Sequence, residues 1–280
     1  MYSGISGMKN FQTKLDVIGN NIANVNTYGF KKGRVNFKDL VSQSIAGASA
    51  PGDNLGGVNP KQVGLGAQLG TIDTIDTQGS LQTTGRSLDL AISGDGFFEV
   101  GKGDGSGVIV ESTYTRSGNF YLDANGSIVN ADGKFLVGYD NTVPLGGNGE
   151  VTKTIAPITI PTEAKSFSIG SDGVVSYVDG DGELQTAGQI IIVKFSNTGG
   201  LEKTGSNNFQ ETTNSGTPLK GLPAGTTGAG SIVAGALEMS NVDLSEEFTE
   251  MIVAQRAFQA NTRIITTSDE ILQELVNLKR

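Results

Sequence analysis

The sequence predicts an α+β protein, with an all-β, hairpin-rich central domain set between N- and C-terminal helices that pair with each other as a coiled coil. Near both ends, apolar residues recur at alternating steps of three and four, the spacing of a helical seam. Between the ends the period falls to two, and Asp-Gly and Asn-Gly pairs punctuate the chain. Gly supplies 41 of 280 residues against 7 Pro with no G-X-Y repeat, which excludes collagen and proline-rich disorder and calls for many tight turns.

The first seam runs through Met8, Phe11, Leu15, Ile18, Ile22 and Val25 and places a helix over Ser3 to Asn24, about 33 Å long by its rise per residue. Asn26, Thr27 and Gly29 are its stop signals. Its other faces carry Asn10, Gln12, Thr13, Gly19, Asn20, Asn21 and Asn24, small or amide side chains that suit close packing better than open solvent. The second helix opens at Asp243, a good N-cap with Glu246 three residues on, as in a capping box. Its seam passes from Leu244 through Phe248, Met251, Gln255, Phe258, Thr262, Ile265, Asp269, Leu272 and Val276, widened by Ile252, Ile264, Ile271, Leu275 and Leu278. At about 35 residues, or about 52 Å, it exceeds the usual globular helix. Neither stripe can be buried alone, so the two helices are expected to pair.

Short strands are expected where Leu88, Leu90 and Ile92 alternate, and at Phe97 to Val100, Asn119 to Leu122, Ser127 to Val129, Phe135 to Val137, Ser166 to Ile169, Val174 to Tyr177 and Gln189 to Phe195. Turns are expected at Asp95-Gly96, Asp104-Gly105, Asn125-Gly126, Asp132-Gly133, Asp172-Gly173 and Asp179-Gly180. Gly47 to Gly70 and Ser215 to Gly230 read as extended or loosely held linkers. The expected organisation is a helical coiled-coil domain of residues 1–30 plus 243–280, an extended linker arm over 31–70, and a β domain over 71–242 with a Gly-rich return linker at 215–230.

The chain has no His, Cys or Trp. That removes imidazole and thiolate metal ligands, every Ser-His or Cys-His catalytic pair, and any disulfide framework. Ser6 to Lys9 matches S-x-x-K and Lys203 to Gly205 matches K-T-G, but S-D-N is missing and no helical partner domain surrounds them. Asp179 to Glu183 begins like a calcium loop, yet Leu184 and Ile190 stand where Gly and Glu are required. Gly101, Gly103, Gly105 and Gly107 lack nucleotide-loop spacing. No carboxylate pair stands out by spacing as an acid and base.

Residues 1–38 hold Lys9, Lys14, Lys31, Lys32, Arg34 and Lys38 against Asp16, a net of +5 on a chain of −9, which leaves −14 on the rest. So acidic a remainder repels phosphate and argues against nucleic-acid binding. The basic arm is expected instead to face acidic surface, on its own body or on a neighbouring copy. The longest apolar run, Ile190 to Val193, is far short of the roughly 18 residues of a membrane span, and Met1 to Phe11 shows no cleavable secretory signal.

The stretch LDVIGNNIANVNTYGFKK, beginning at Leu15, resembles the N-terminal signature of the bacterial flagellar rod and hook proteins. The C-terminal stretch SNVDLSEEFTEMIVAQRAFQANTRIITTSDEILQELVNL is similar to that family's terminal helix, with Met251, Gln255, Arg256, Phe258, Asn261, Asp269 and Leu272 on its pattern. Thr84 to Val100, TGRSLDLAISGDGFFEV, and Tyr114 to Val129, YTRSGNFYLDANGSIV, resemble the family's β domain. The matching signature residues are Asn20, Asn21, Asn24, Thr27, Gly29, Phe30 and Lys31.

The resemblance implies a structural subunit rather than an enzyme, without cofactor, metal, nucleic acid or membrane insertion. It would leave through the flagellar type III export apparatus without a cleaved signal peptide and assemble outside the cell into a helical tube. Its partners would be copies of itself and other axial proteins: rod, hook cap and hook–filament junction. The chain ends favour the hook, the flexible joint that carries motor torque to the filament; the long arm from Val41 to Gly70 favours the alternative, a distal rod subunit in a stiff drive shaft. An exported carbohydrate-active enzyme is the distant alternative and would need an acidic cleft in the β body. The residues expected to hold subunits together are Met8, Phe11, Leu15, Ile18, Ile22, Phe248, Met251, Phe258, Ile265 and Leu272.

Overall fold

The computed structural model describes residues 2–48, 50, 56–104, 108–140, 154–223 and 228–278, which form two compact units. One unit holds residues 1–23, 32–75 and 242–280; the other holds residues 24–31 and 76–241. The turn expected at Asp104-Gly105 and parts of both expected linkers, 49, 51–55 and 224–227, lie outside the described residues.

In the first unit, helix α1 (Tyr2–Ala23) lies against helix α2 (Leu244–Leu278). Asp243 caps α2 as expected, its Oδ1 accepting from the backbone N–H of Ser245 at 2.8 Å. Glu246 does not close the capping box; its carboxylate goes to Lys32, 2.8 Å away. The segment expected to be an extended arm is a ribbon. Strand β1 (Gly33–Asp39) pairs antiparallel with β4 (Ala67–Thr74), from Gly33 opposite Thr74 to Asp39 opposite Ala67. Beyond them β2 (Ser42–Ala46) pairs with β3 (Lys61–Gly64). The ribbon hides from pattern analysis because β2 and β3 are exposed at every position and so show no alternation.

The second unit contains strands β5 (Leu81–Thr83), β6 (Leu90–Ser93), β7 (Phe97–Gly103), β8 (Ile109–Thr115), β9 (Tyr121–Leu122), β10 (Ile128–Val129), β11 (Phe135–Asp140) and β12 (Thr154–Pro157). It continues with β13 (Ser166–Ile169), β14 (Val174–Val178), β15 (Leu184–Ile190), β16 (Ile192–Lys194), β17 (Glu202–Gly205), β18 (Asn208–Gln210), β19 (Leu219–Gly221), β20 (Ser231–Ala234) and β21 (Ala236–Glu238). The main path of its large sheet is β13-β14-β15-β11-β7-β8-β18-β17, and the pairs described are antiparallel, as hairpin connections dictate.

Successive residues of the central strands feed two cores. Leu90, Ile92, Phe98, Leu136, Ile190 and Ile192 belong to one; Phe97, Val137, Ile191 and Val193 belong to the other. Two covered faces explain why Leu88, Asp89, Leu90, Ala91 and Ile92 are all buried, where simple alternation would have exposed every second one. Among the expected turns, Gly96, Gly126, Gly133 and Gly173 have positive φ; at Asp179-Gly180 the left-handed residue is Gly182 instead.

Candidate assembly surface

Contacts between α1 and α2 pair early residues of one with late residues of the other, so the helices run antiparallel. Asn21 Nδ2 donates to Glu247 Oε2 at 3.2 Å, Lys14 Nζ sits 3.0 Å from Glu250, and Gly4 faces Ile264. Gly7 lets the backbones close in: a Cβ there would stand 3.0 Å from the Asn261 amide. Ile18 and Asn21 are buried, and Asn21 also exchanges hydrogen bonds with the backbone of Gly33, donating at 2.9 Å and accepting at 3.0 Å. Glu247 is buried as well; burial raises its pKa, against the Asn21 hydrogen bond and the Lys32 charge, which lower it. Lys14, Lys32, Glu246 and Glu250 line a cleft of about 450 Å³ together with Val17 and Val35. Its charges are satisfied in pairs, an arrangement that holds elements together rather than one that moves protons.

The residues expected at subunit contacts divide into two groups. Met8, Phe11, Leu15, Ile22, Met251, Phe258 and Ile265 are half-buried within the unit, and Ile18 is fully buried. Phe11 turns partly to the ribbon, its ring 6.1 Å from that of Phe37. Phe248 and Leu272 remain exposed, at 49% and 47%. Every residue from Asp269 to Leu278 is exposed, including Ile271, Leu275 and Val276. On the ribbon Val41, Ile45 and Val63 are also more than half exposed.

The signature residues 24–31 fold into the β unit. Thr27 Oγ1 donates to Asn24 Oδ1 at 3.1 Å. Gly29 adopts φ +69°, and a Cβ on it would lie 2.7 Å from the backbone of Arg116 and Ser117. Phe30 is buried, and Lys31 Nζ lies 2.6 Å from Glu238 Oε1 and donates to Thr77 O at 2.8 Å. Arg116 Nη1 reaches the other oxygen of Glu238 at 3.1 Å, and the Gly79 N–H donates to that carboxylate at 2.9 Å. Burial draws the Lys31 pKa down, opposed by the Glu238 carboxylate beside it. The basic arm thus meets acidic groups of its own body, through Lys14, Lys31, Lys32 and, at 3.7 Å from Asp73, Arg34. Pattern reading gave no sign of Glu238, Arg116 or Glu247 as partners, because each lies far along the chain from the group it binds.

Beside two well-closed β cores, the chain holds a helix and a ribbon that keep rows of apolar side chains exposed, and exposed apolar rows of that kind mark interaction surfaces. Three family models match: "Flagella basal body rod protein" over residues 1–31, "Flagellar hook protein FlgE/F/G D1 domain" over 91–177 and "Flagellar basal body rod FlgEFG protein C-terminal" over 233–278. The chain is 60% identical to the flagellar basal-body rod protein FlgG of Bacillus subtilis, covering 100% of this chain and 98% of the relative. It is 38% identical to FlgG of Borreliella burgdorferi, covering 100% and 98%, and 32% identical to the flagellar hook protein FlgE of that organism, covering 100% and 99%. The chain belongs to the flagellar rod and hook protein family. It is a structural axial component of the flagellum, in the basal body or hook, and not an enzyme.

Proposed function

We propose that this chain is a rod subunit, one of many copies that polymerise into the stiff shaft of the basal body. The observation that carries the reading is the 60% identity to a rod protein over essentially the whole of both chains. The Borreliella hook relative aligns over 444 positions against the 280 residues here, so it carries substantial extra length. The preference for the hook drawn from the chain ends therefore gives way to the alternative. Those ends cannot discriminate, since the matching C-terminal model spans rod and hook proteins alike. The β1–β4 ribbon supports stiffness: hydrogen bonds fix its register where a loose linker would bend.

In this reading α1 and α2 form an antiparallel coiled coil in the tube's inner layer, and the seam residues from Met8 to Leu272 hold that layer together. The ribbon links neighbouring subunits. The chain leaves through the flagellar type III export apparatus without a cleaved signal and meets other axial proteins at the two ends of its own segment. Electron microscopy of basal bodies from cells lacking the gene tests the assignment. Rods that stop short support it; complete rods that end bare, with curved segments restored on complementation, assign the chain to the hook.

A further inference from the structure

Four segments of the β unit meet at a cavity of about 320 Å³: residues 26–28, the turn after β8, the β10–β11 turn and the tip of the β17–β18 hairpin. Apart from Ala131 and Asp132, every lining residue carries an amide or a hydroxyl, and none is Lys or Arg. Several of these polar groups are held at one atom and open at another. Asn119 Oδ1 accepts from Ser117 Oγ at 2.6 Å, and Asn130 Oδ1 accepts from the backbone N–H groups of Asp132 and Lys134 at 3.0 and 2.9 Å. Each of these amides keeps an Nδ2 without a partner among the described residues. Asn207 Nδ2 donates to Tyr28 O at 3.0 Å and Asp132 Oδ2 accepts from Asn208 Nδ2 at 3.1 Å, which leaves Asn207 Oδ1 and Asp132 Oδ1 as open acceptors. The backbone fixes Asn207 further, since it and Ser206 have φ of +57° and +50° in the two-residue turn between Gly205 and Asn208.

We propose that this cavity binds a neutral pyranose ring, free or as one unit of a glycan. Two donors and two acceptors stand open in one lining, and a ligand has to answer both kinds. An anion would find no cation there, a metal ion would meet amide N–H groups at two of the four positions, and an apolar group would leave all four unsatisfied. Ring hydroxyls each donate and accept, so neighbouring ones satisfy the whole set. An extended peptide carries both kinds as well, but it docks in line along a strand edge, whereas these groups come from separate segments around a compact space. The volume lies near the lower end for ligand clefts and suits one ring. Because the amides are already pinned, little rotamer freedom is lost when the ring enters. The site would bind without cleaving, since glycoside hydrolysis takes a pair of carboxylates and Asp132 is alone in the lining. The inference is independent of the polymerisation reading above.

Saturation-transfer difference NMR on the full-length chain tests it, because the method reads monomer and polymer alike. The probes are glucose, N-acetylglucosamine, cellotriose and triglycine. Transfer to the ring protons of at least one sugar is expected, with none to triglycine. Asn119→Asp exchanges an open donor for an acceptor while keeping the oxygen that Ser117 binds, and Asn207→Gly removes an open acceptor from a turn that suits glycine. Each should weaken sugar binding about tenfold, with the folded β unit retained by tyrosine fluorescence. Asn207→Gly decides the matter should Asn119→Asp fail to fold. Tighter binding of cellotriose than of glucose identifies a glycan as the source of the ring, and equal binding identifies the free sugar. Absence of transfer to every sugar, transfer to triglycine in their place, or sugar signals unchanged in the folded variants would overturn the proposal.

Discussion

Glu238→Gln removes the carboxylate that Lys31 and Arg116 share. In the wild type its oxygens accept from Lys31 Nζ at 2.6 Å, the Gly79 N–H at 2.9 Å and Arg116 Nη1 at 3.1 Å, and the side chains of Lys31, Arg116 and Glu238 are all buried. A glutamine keeps one acceptor and turns an NH₂ toward a cation, so two buried positive charges lose their counter-charge. Removing one member of a buried ion pair costs about 3–5 kcal/mol. At roughly 2–4 °C per kcal/mol for a unit of this size, the midpoint should fall by roughly 6–20 °C. Tyrosine fluorescence reads it directly, since all tyrosines but Tyr2 belong to the β unit and no tryptophan interferes. Lys31→Met should cost less, because Arg116 remains to balance the carboxylate. A loss below about 1 kcal/mol for Glu238→Gln, or the reverse order of the two variants, would refute the claim that the cluster is dry and mutually dependent.

Leu15→Asp should abolish polymerisation while the β unit stays folded, whereas Asn125→Asp at an exposed turn should be tolerated; tubes formed by the Leu15 variant would sink its placement in the seam. Gly29→Ala should destabilise the β unit by about 2 kcal/mol or more, from the left-handed backbone and the backbone contact at its Cβ, and a denaturation midpoint equal to wild type would contradict this. Glu247 binds its proton more tightly folded than unfolded, so its contribution favours folding most below its ordinary pKa of 4.5 and declines as pH climbs through the raised folded value. Glu247→Gln should therefore flatten the fall in helical-unit stability just above that pH, measured by circular dichroism; equal slopes in variant and wild type would rule the effect out.

The terminal helices are legible because a three-four period admits one structure, and the bounds Ser3 to Asn24 miss the observed Tyr2–Ala23 by a residue at each end. Strand β13 is read at its observed limits, since Pro161 and Thr162 precede it and Gly170 and the Asp172-Gly173 turn close it. Strand β8 is missed: Val110 and Glu111 are exposed at one end while Tyr114 and Thr115 are buried at the other, so no single alternation spans it. The ion cluster is invisible to local pattern for another reason. Lys31 and Glu238 stand 207 residues apart, and each alone looks like a solvated charge. The C-terminal family model spans several members, FlgE, FlgF and FlgG, which is why that end reveals the family and does not by itself separate its members.

The pairing of α1 with α2 also orders events in time. Asn21 and Glu247 are 226 residues apart in sequence, and closing an unstructured loop of that length would cost about 5 kcal/mol before any contact formed. A β unit that folds first shortens that loop, because the strands leading back toward α2 are already in place. Until residues beyond 242 have arrived, α1 has no helical partner and the ribbon no finished neighbour. A chain interrupted before that point would hold a sound β unit and an open seam. The covering of α1 by a helix therefore waits on residues beyond 242, and the order in which the two units close is set by the sequence distance between α1 and α2.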